Sequence, residues 1–405
     1  VTANVYGLRL LRKPRTQRLV VVVILAVVLL ARLAQFVYWT GQLQWGYDFS
    51  AYWTAADHLL HRQPLYLPDQ LAGPYAPQRQ FLYLYPPAFA AAAIPFAALF
   101  GDYRLAEWLW TAIGAAIVVW VVLALHRSER LGERYRMLDG RGRWLMVAAA
   151  FAFPPVVAEL VLGNVNVLLL GLFTAAWLGI RHEASGSRAA AATGIAIGLA
   201  TVIKLFPGVL LLWLLLTRRY RAAGWAVVAA AVFIAVTLPI TGIQPWRDYP
   251  TVLANLAAPS DTTDTLAPTV WLAPYLGFTL ARLLVTAAGL AMLAFTARAA
   301  SRAVSFAIAV LVSVLIAPAL YQHYLAILVL PMILALGAGI RLRWIGLAYV
   351  LMSGGQQDAL GDFAWIVNKG LPTAGVLLLL GLFLARLRDD NSGDEPLFQG
   401  ELKTA

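Results

Sequence analysis

The chain has 405 residues, of which 61% are hydrophobic and only 13% charged, with a mean hydropathy of +0.73. Soluble domains run nearer half apolar and a quarter charged, so this composition excludes a soluble enzyme and predicts an all-α integral membrane protein. The net charge of +11 lies in short basic clusters between apolar runs, which is membrane topology rather than a nucleic-acid footprint, and zero cysteines exclude disulfides and thiol chemistry.

Taken in order, the chain opens with a basic segment (Arg9, Arg12, Lys13, Arg15, Arg18) and a first apolar run over 19–38. No small-residue cleavage site follows Leu30, which predicts an uncleaved first span. Residues 45–87 then break the pattern with Asp48, Asp57, His58, His61, Arg62, Asp69, Arg79 and many tyrosines. A polar, aromatic loop of that length is a working surface more often than a solvated linker. The next run, 82–100, starts at Pro86-Pro87 and is interrupted at Pro95, so it reads as an interfacial or re-entrant helix.

Charge decides the crossings. If 82–100 crossed, the arginines of the 126–143 loop would face outward; without that crossing, every later basic cluster falls inside. These are Arg181/Arg188, Arg218/Arg219/Arg221, Arg298/Arg302, Arg341/Arg343 and Arg386/Arg388. The frame predicts a bundle of about 12 transmembrane helices with both termini cytoplasmic and the long first loop outside. Also outside fall the turn at 163–166, a second large loop at 242–268 and a small loop near 355–370. Residues 1–390 form one transmembrane catalytic domain in this reading. Residues 391–405 are a disordered tail, in which Leu397–Ala405 resembles the remnant of a protease-cleavable tag.

The frame brings scattered polar residues to one membrane level: Asp48, Asn164 and Asn166 in Gly163-Asn164-Val165-Asn166, Lys204, and His323. Ionisable groups at such a depth are costly and point to function. Each also has a plainer explanation. Lys204 could snorkel to the interface, the asparagines could cap the next helix, and His323 could be a satisfied interfacial histidine. Asp57, on a helix expected over 50–61, could be solvated or paired with Arg62. Arg32 and Arg282 lie within spans, the sequence alone does not say what they pair with, and Trp45, Tyr52 and Trp53 could serve only as interfacial anchors. No Asp-x-Asp, GxxxxGK[ST], GxSxG or HExxH motif occurs, nor a Cys or His cluster with metal spacing.

The segments YDFSAYWTAA after the first span, YLYPP at 83–87, GNVNVLLL at 163–170, GLATVIKLFP at 198–207 and the turn bearing His323 together resemble glycosyltransferase family 87. That family comprises bacterial membrane transferases of GT-C fold, related to mycobacterial mannosyl- and arabinofuranosyltransferases. The resemblance runs over roughly 40–340. Where some members carry an Asn-rich stretch in the second large loop, this chain has Asp261, Asp264 and Trp271.

The resemblance implies a catalytic aspartate at Asp48 and a polyprenyl-phosphate sugar donor, most simply mannose, used at the outer face of a bacterial cytoplasmic membrane. The acceptor is then a hydroxyl of a glycolipid or lipid-linked glycan. A rim carboxylate can act as general base, while a phosphate leaving group needs cations and donors rather than a general acid. Lys204, His323, Asn164, Asn166 and Tyr85 are accordingly expected at the donor, and Tyr52, Trp53, Asp57, Asp264 and Trp271 on the acceptor side. One base and one displacement predict inversion. The missing aspartate pair predicts no metal or other cofactor. An apolar groove beside 82–100 would take the prenyl chain. Two rival readings, a glycolipid flippase and an O-acyl or phosphoglycerol transferase, differ in placement and chemistry. A flippase needs polar groups through the midplane rather than at one face.

Overall fold

A computed structural model describes residues 14–42, 45–73, 82–182, 186–257, 265–355 and 364–390. Every regular element among them is helical, and each apolar run becomes a helix or a broken pair of helices. The Pro14–Thr40 helix lies outermost, with Leu19, Val23, Ile24, Val27 and Leu30 all exposed, as expected of a helix facing lipid. The opposite case is Arg302–Leu315, buried at every position from Val304 to Leu315 and accordingly apolar nearly all round, with Ser305 and Ser313 the polar exceptions.

By length and apolarity, five helices among the described residues can cross a bilayer: Arg18–Thr40, Tyr103–Ser128, Tyr220–Thr241, Phe278–Ala299 and Ile366–Leu387. A sixth results if Gly140–Ala152 and Pro154–Leu162, bent by 63°, form one span. This is fewer than the twelve crossings expected from charge. The expectation counted apolar runs, and several of these fold as helices of 9 to 17 residues that length alone does not carry across. The bend at Phe153 has a local cause, because Pro154 and Pro155 open the second helix and cannot continue the first.

The 82–100 run forms a helix over Pro87–Leu99 with Pro87 at its first position. Thirteen residues at 1.5 Å rise reach about 20 Å, well short of a ~30 Å hydrocarbon core. Its first half is buried, and it packs on Tyr47–Leu60 and Tyr220–Thr241. Proline start, short reach and buried alanines place it beside the site as a wedge.

The tightest helix pair is Ser187–Ile203 against Tyr220–Thr241. Gly194 and Gly198, one turn apart, lie so close that a Cβ would stand 2.2 Å from the Ala222 carbonyl oxygen and 2.3 Å from that of Ala226. Small residues at this spacing let backbones touch where no hydrophobic force operates between helices in lipid. The pair holds the C-terminal end of Ser187–Ile203, and hence Lys204, in a fixed place.

Candidate active site

The site begins with a left-handed glycine. Gly46, at φ +68°, turns the chain into the Tyr47–Leu60 helix, and its N–H donates to the Val161 carbonyl at 2.7 Å. A Cβ there would fall on the Glu107 carboxylate, 1.7 Å from Oε1, so only glycine fits. Tyr103 Oη donates to the Gly46 carbonyl at 3.1 Å. The turn thus sets Asp48 in the first turn of its helix, on the side that Phe49, Tyr52, Ala55 and Ala56 bury.

A second left-handed glycine brings in the asparagines. Gly163, at φ +68°, ends Pro154–Leu162, and its carbonyl accepts from Trp110 Nε1 at 2.8 Å. A Cβ on it would sit 2.7 Å from Cβ of Phe49. The close approach puts Asn164 directly across from Asp48. Asn164 Nδ2 donates to Asp48 Oδ2 at 2.9 Å and to Tyr85 Oη at 3.1 Å. Asn164 Oδ1 accepts from Val165 N at 2.7 Å and from Asn166 Nδ2 at 3.0 Å. Capping and chemistry therefore coexist in one side chain: Asn164 satisfies a backbone N–H at the start of the next helix while aiming its amide at the carboxylate.

Lys204 arrives where Ser187–Ile203 ends in an extended residue. Its ammonium turns inward, donating to Asn166 Oδ1 at 3.3 Å and lying 3.8 Å from the Tyr324 ring centroid. An inward cation held by a ring face and an amide is not snorkelling. His323, in the 3₁₀ segment Gln322–Leu328, stacks parallel to Tyr321 with centroids 5.8 Å apart. Its Nε2 stands 4.0 Å from Asp48 Oδ2, outside hydrogen-bond range, and is buried without a partner. Gln322 Nε2, next to it, is likewise buried and unpaired. A buried, unpaired imidazole nitrogen beside a carboxylate suits a polar ligand.

The Asp48 side chain keeps 21% of its surface open, against 13% for His323. Burial pushes the Asp48 carboxyl up to about 6; the Asn164 hydrogen bond and the Lys204 charge pull the other way. Tyr85 is buried and driven well above the usual phenol range, chiefly by desolvation, so it stays protonated. Three tyrosines order the loop behind it. Tyr66 Oη donates to the Tyr85 carbonyl, Tyr83 Oη donates to the Pro86 carbonyl, and the Tyr66 ring stacks on Tyr249. The described part of the first loop is therefore a packed structure with an aromatic interior.

Of the residues expected from sequence, the structure gathers Asp48, Asn164, Asn166, Lys204, His323 and Tyr85, with Tyr52 beneath Tyr85 at 5.0 Å between rings. It does not gather the others. Trp53 packs on Tyr103, Asp57 pairs with His61 at 3.2 Å on an exposed surface, and Trp271 packs on Trp365. These residues are occupied elsewhere because they project from other faces of their helices. Asp261 and Asp264, Arg79 and the 391–405 tail lie outside the described residues.

One member was not foreseen from sequence. Glu159 is only 1% exposed, and its two oxygens accept from Asn166 Nδ2 at 3.1 Å and Val167 N at 3.2 Å. A single acid inside an apolar run was its only signal.

The family model for glycosyltransferase family 87 matches residues 83–318. Two curated relatives, each named alpha-(1->3)-arabinofuranosyltransferase, come from the CDC 1551/Oshkosh and H37Rv strains of Mycobacterium tuberculosis. This chain is 32% identical to each over 160 residues, which is 39% of this chain and 34% of the relative. The aligned region thus spans about a third of the relatives' length. No solved structure matches. With a family match covering more than half of the sequence, including the Tyr85, Asn164, Asn166 and Lys204 positions, the chain belongs to glycosyltransferase family 87.

Proposed function

We propose that this glycosyltransferase moves a sugar from a polyprenyl-monophosphate donor to a hydroxyl of a glycolipid or lipid-linked glycan, with Asp48 as general base. The observation that carries the reading is the meeting of one partly open carboxylate with an inward lysine, a histidine and two asparagines from four distant stretches of chain. In the step, the acceptor oxygen forms a bond to the anomeric carbon while the bond from that carbon to the phosphate oxygen breaks. The acceptor proton goes to Asp48, and the prenyl phosphate leaves with the electron pair. A single displacement inverts the anomeric centre. Lys204 and His323 Nε2 face the charge that develops on the leaving phosphate, and Tyr85, with its proton retained, donates to a sugar or phosphate oxygen. No step calls for a metal.

The name of the curated relatives puts an arabinofuranosyl donor ahead of the mannosyl donor expected from sequence. In this reading the Asp48 loop lies on the outer face of a bacterial cytoplasmic membrane, the side expected from the basic clusters, where a prenyl tail in the bilayer delivers its head group to the rim. Purified protein supplied with polyprenyl-phosphate arabinofuranose or mannose and a membrane-glycan acceptor tests this. Transfer that is lost in Asp48→Ala and survives chelator is the expected result. Transfer that persists in Asp48→Ala removes the base, and lipid translocation without transfer returns the flippase reading.

A further inference from the structure

We propose that Glu159 is a positioning residue that fixes the polarity of both site asparagines and so keeps a hydrogen-bond donor aimed at Asp48; its role in turnover rests on the function proposed above. Glu159 sits two side chains away from Asp48 and faces only donors, Asn166 Nδ2 at 3.1 Å and Val167 N at 3.2 Å. A carboxylate suits that place. An oxygen carrying a proton would set O–H against N–H. The Val167 N–H is one of the unsatisfied donors in the first turn of Asn166–Arg181, where the helix dipole favours an anion.

From that fixed acceptor the order propagates. The two N–H bonds of Asn166 go to Glu159 Oε2 and Asn164 Oδ1, and its oxygen meets Lys204 Nζ. Flipping Asn166 would aim its NH2 at the ammonium and its oxygen at the carboxylate. An acceptor-only group and a donor-only group on opposite sides thus lock the amide. Asn164 Oδ1, held by Asn166 and by Val165 N, then has to turn its NH2 to Asp48 and Tyr85. Amide orientation is decided by the network around it, and here the network has one consistent solution.

The groups facing Asp48 are Asn164, Lys204, His323, Glu159 and the phenols of Tyr52, Tyr85 and Tyr324. Two consequences of removing the Glu159 charge oppose each other. Losing an ionised Glu159 would remove a like charge near Asp48, which by itself moves the midpoint down. As the anchor of the amide relay, its loss frees Asn164 to turn away and moves the midpoint up. Glu159→Gln offers one oxygen to two N–H donors, which unlocks the relay. Asn166→Leu cuts the relay with no change of charge.

The test is an infrared pH titration of the carboxyl stretch in purified protein without substrate. The Asp48 band is isolated in each background by subtracting the spectrum of the same protein carrying Asp48→Asn. The expected result is a midpoint about one pH unit higher in Asn166→Leu, the size of one hydrogen bond to a charged group, and a smaller rise in Glu159→Gln, where the lost like charge offsets part of it. A midpoint that falls or stays put in folded Glu159→Gln overturns the inference. If Glu159→Gln does not fold, Asn166→Leu decides by the same criterion. Because no substrate is used, the result stands apart from the transfer assay. Wild-type transfer lost in Asp48→Ala with an unmoved midpoint refutes only the relay, and a risen midpoint without transfer refutes only the enzyme.

Discussion

Replacing Asp48 by asparagine should make the protein more stable, and the gain should grow with pH. The folded protein holds this carboxyl at about 6 against an ordinary 3.8, because burial disfavours the charge. The folded state therefore binds the proton more tightly than the unfolded chain does. Stability from Asp48 is fully present below pH 3.8 and is lost as pH rises through about 6. Two units at 1.36 kcal/mol each give a penalty of about 3 kcal/mol at pH 8, shrinking to about 1 kcal/mol near pH 4.5. Asp48→Asn removes the charge and keeps an oxygen for the Asn164 amide, so it should recover most of that difference. For a chain of this size the gain amounts to roughly 3–5 °C in apparent melting temperature at pH 8 and about a degree at pH 4.5. Thermal unfolding in detergent, followed by scattering and intrinsic fluorescence at both pH values, measures it. A variant less stable than wild type at pH 8, or equally stabilised at both, would refute burial as the cause of the shift.

In the transfer assay, kcat/KM should fall tenfold per unit below about pH 6, where Asp48 takes up its proton. Asn164→Leu should move that acid limb up by about one to two units, since a hydrogen bond to a carboxylate is worth about 1.5–3 kcal/mol; an unmoved limb means that Asn164 does not serve the base. Lys204→Met, neutral and of similar length, should lower kcat by roughly 100-fold or more while the protein elutes as a folded species, and unchanged turnover would leave the lysine a structural cation. Gly163→Ala combines a φ of +68° with a Cβ 2.7 Å from Phe49, so it should cost about 2 kcal/mol or more and lower the melting temperature; a silent substitution would show that the Asn164 turn is loosely held.

How far the sequence reaches can be argued residue by residue. Asp48, Asn164, Lys204 and His323 were legible because each is a polar group at the edge of an apolar run, and lipid makes such groups expensive enough to need a reason. The start of the 82–100 helix was legible from its prolines, which put Pro87 at the first position, whereas Pro95 sits inside the helix without ending it. The number of crossings was less so. Apolarity says that a segment avoids water, but not whether a 9-residue helix such as Gly208–Leu216 spans lipid or only fills the bundle. The acceptor-side expectations for Trp53 and Asp57 did not join the cluster because sequence proximity to Asp48 says nothing about which helix face a side chain takes. One residue along a helix turns about 100°, enough to send Trp53 to Tyr103 while Tyr52 points at Tyr85. Glu159 shows the deeper limit. A lone acid in an apolar run announces that it has a partner and not which one. Its partners, Asn166 and Val167, are seven and eight residues on, across a turn that exists only because Gly163 takes a left-handed conformation. The residues proposed to touch a substrate could thus be read from their cost in lipid, whereas the residue proposed to orient them could be found only once the turn between the two helices was known.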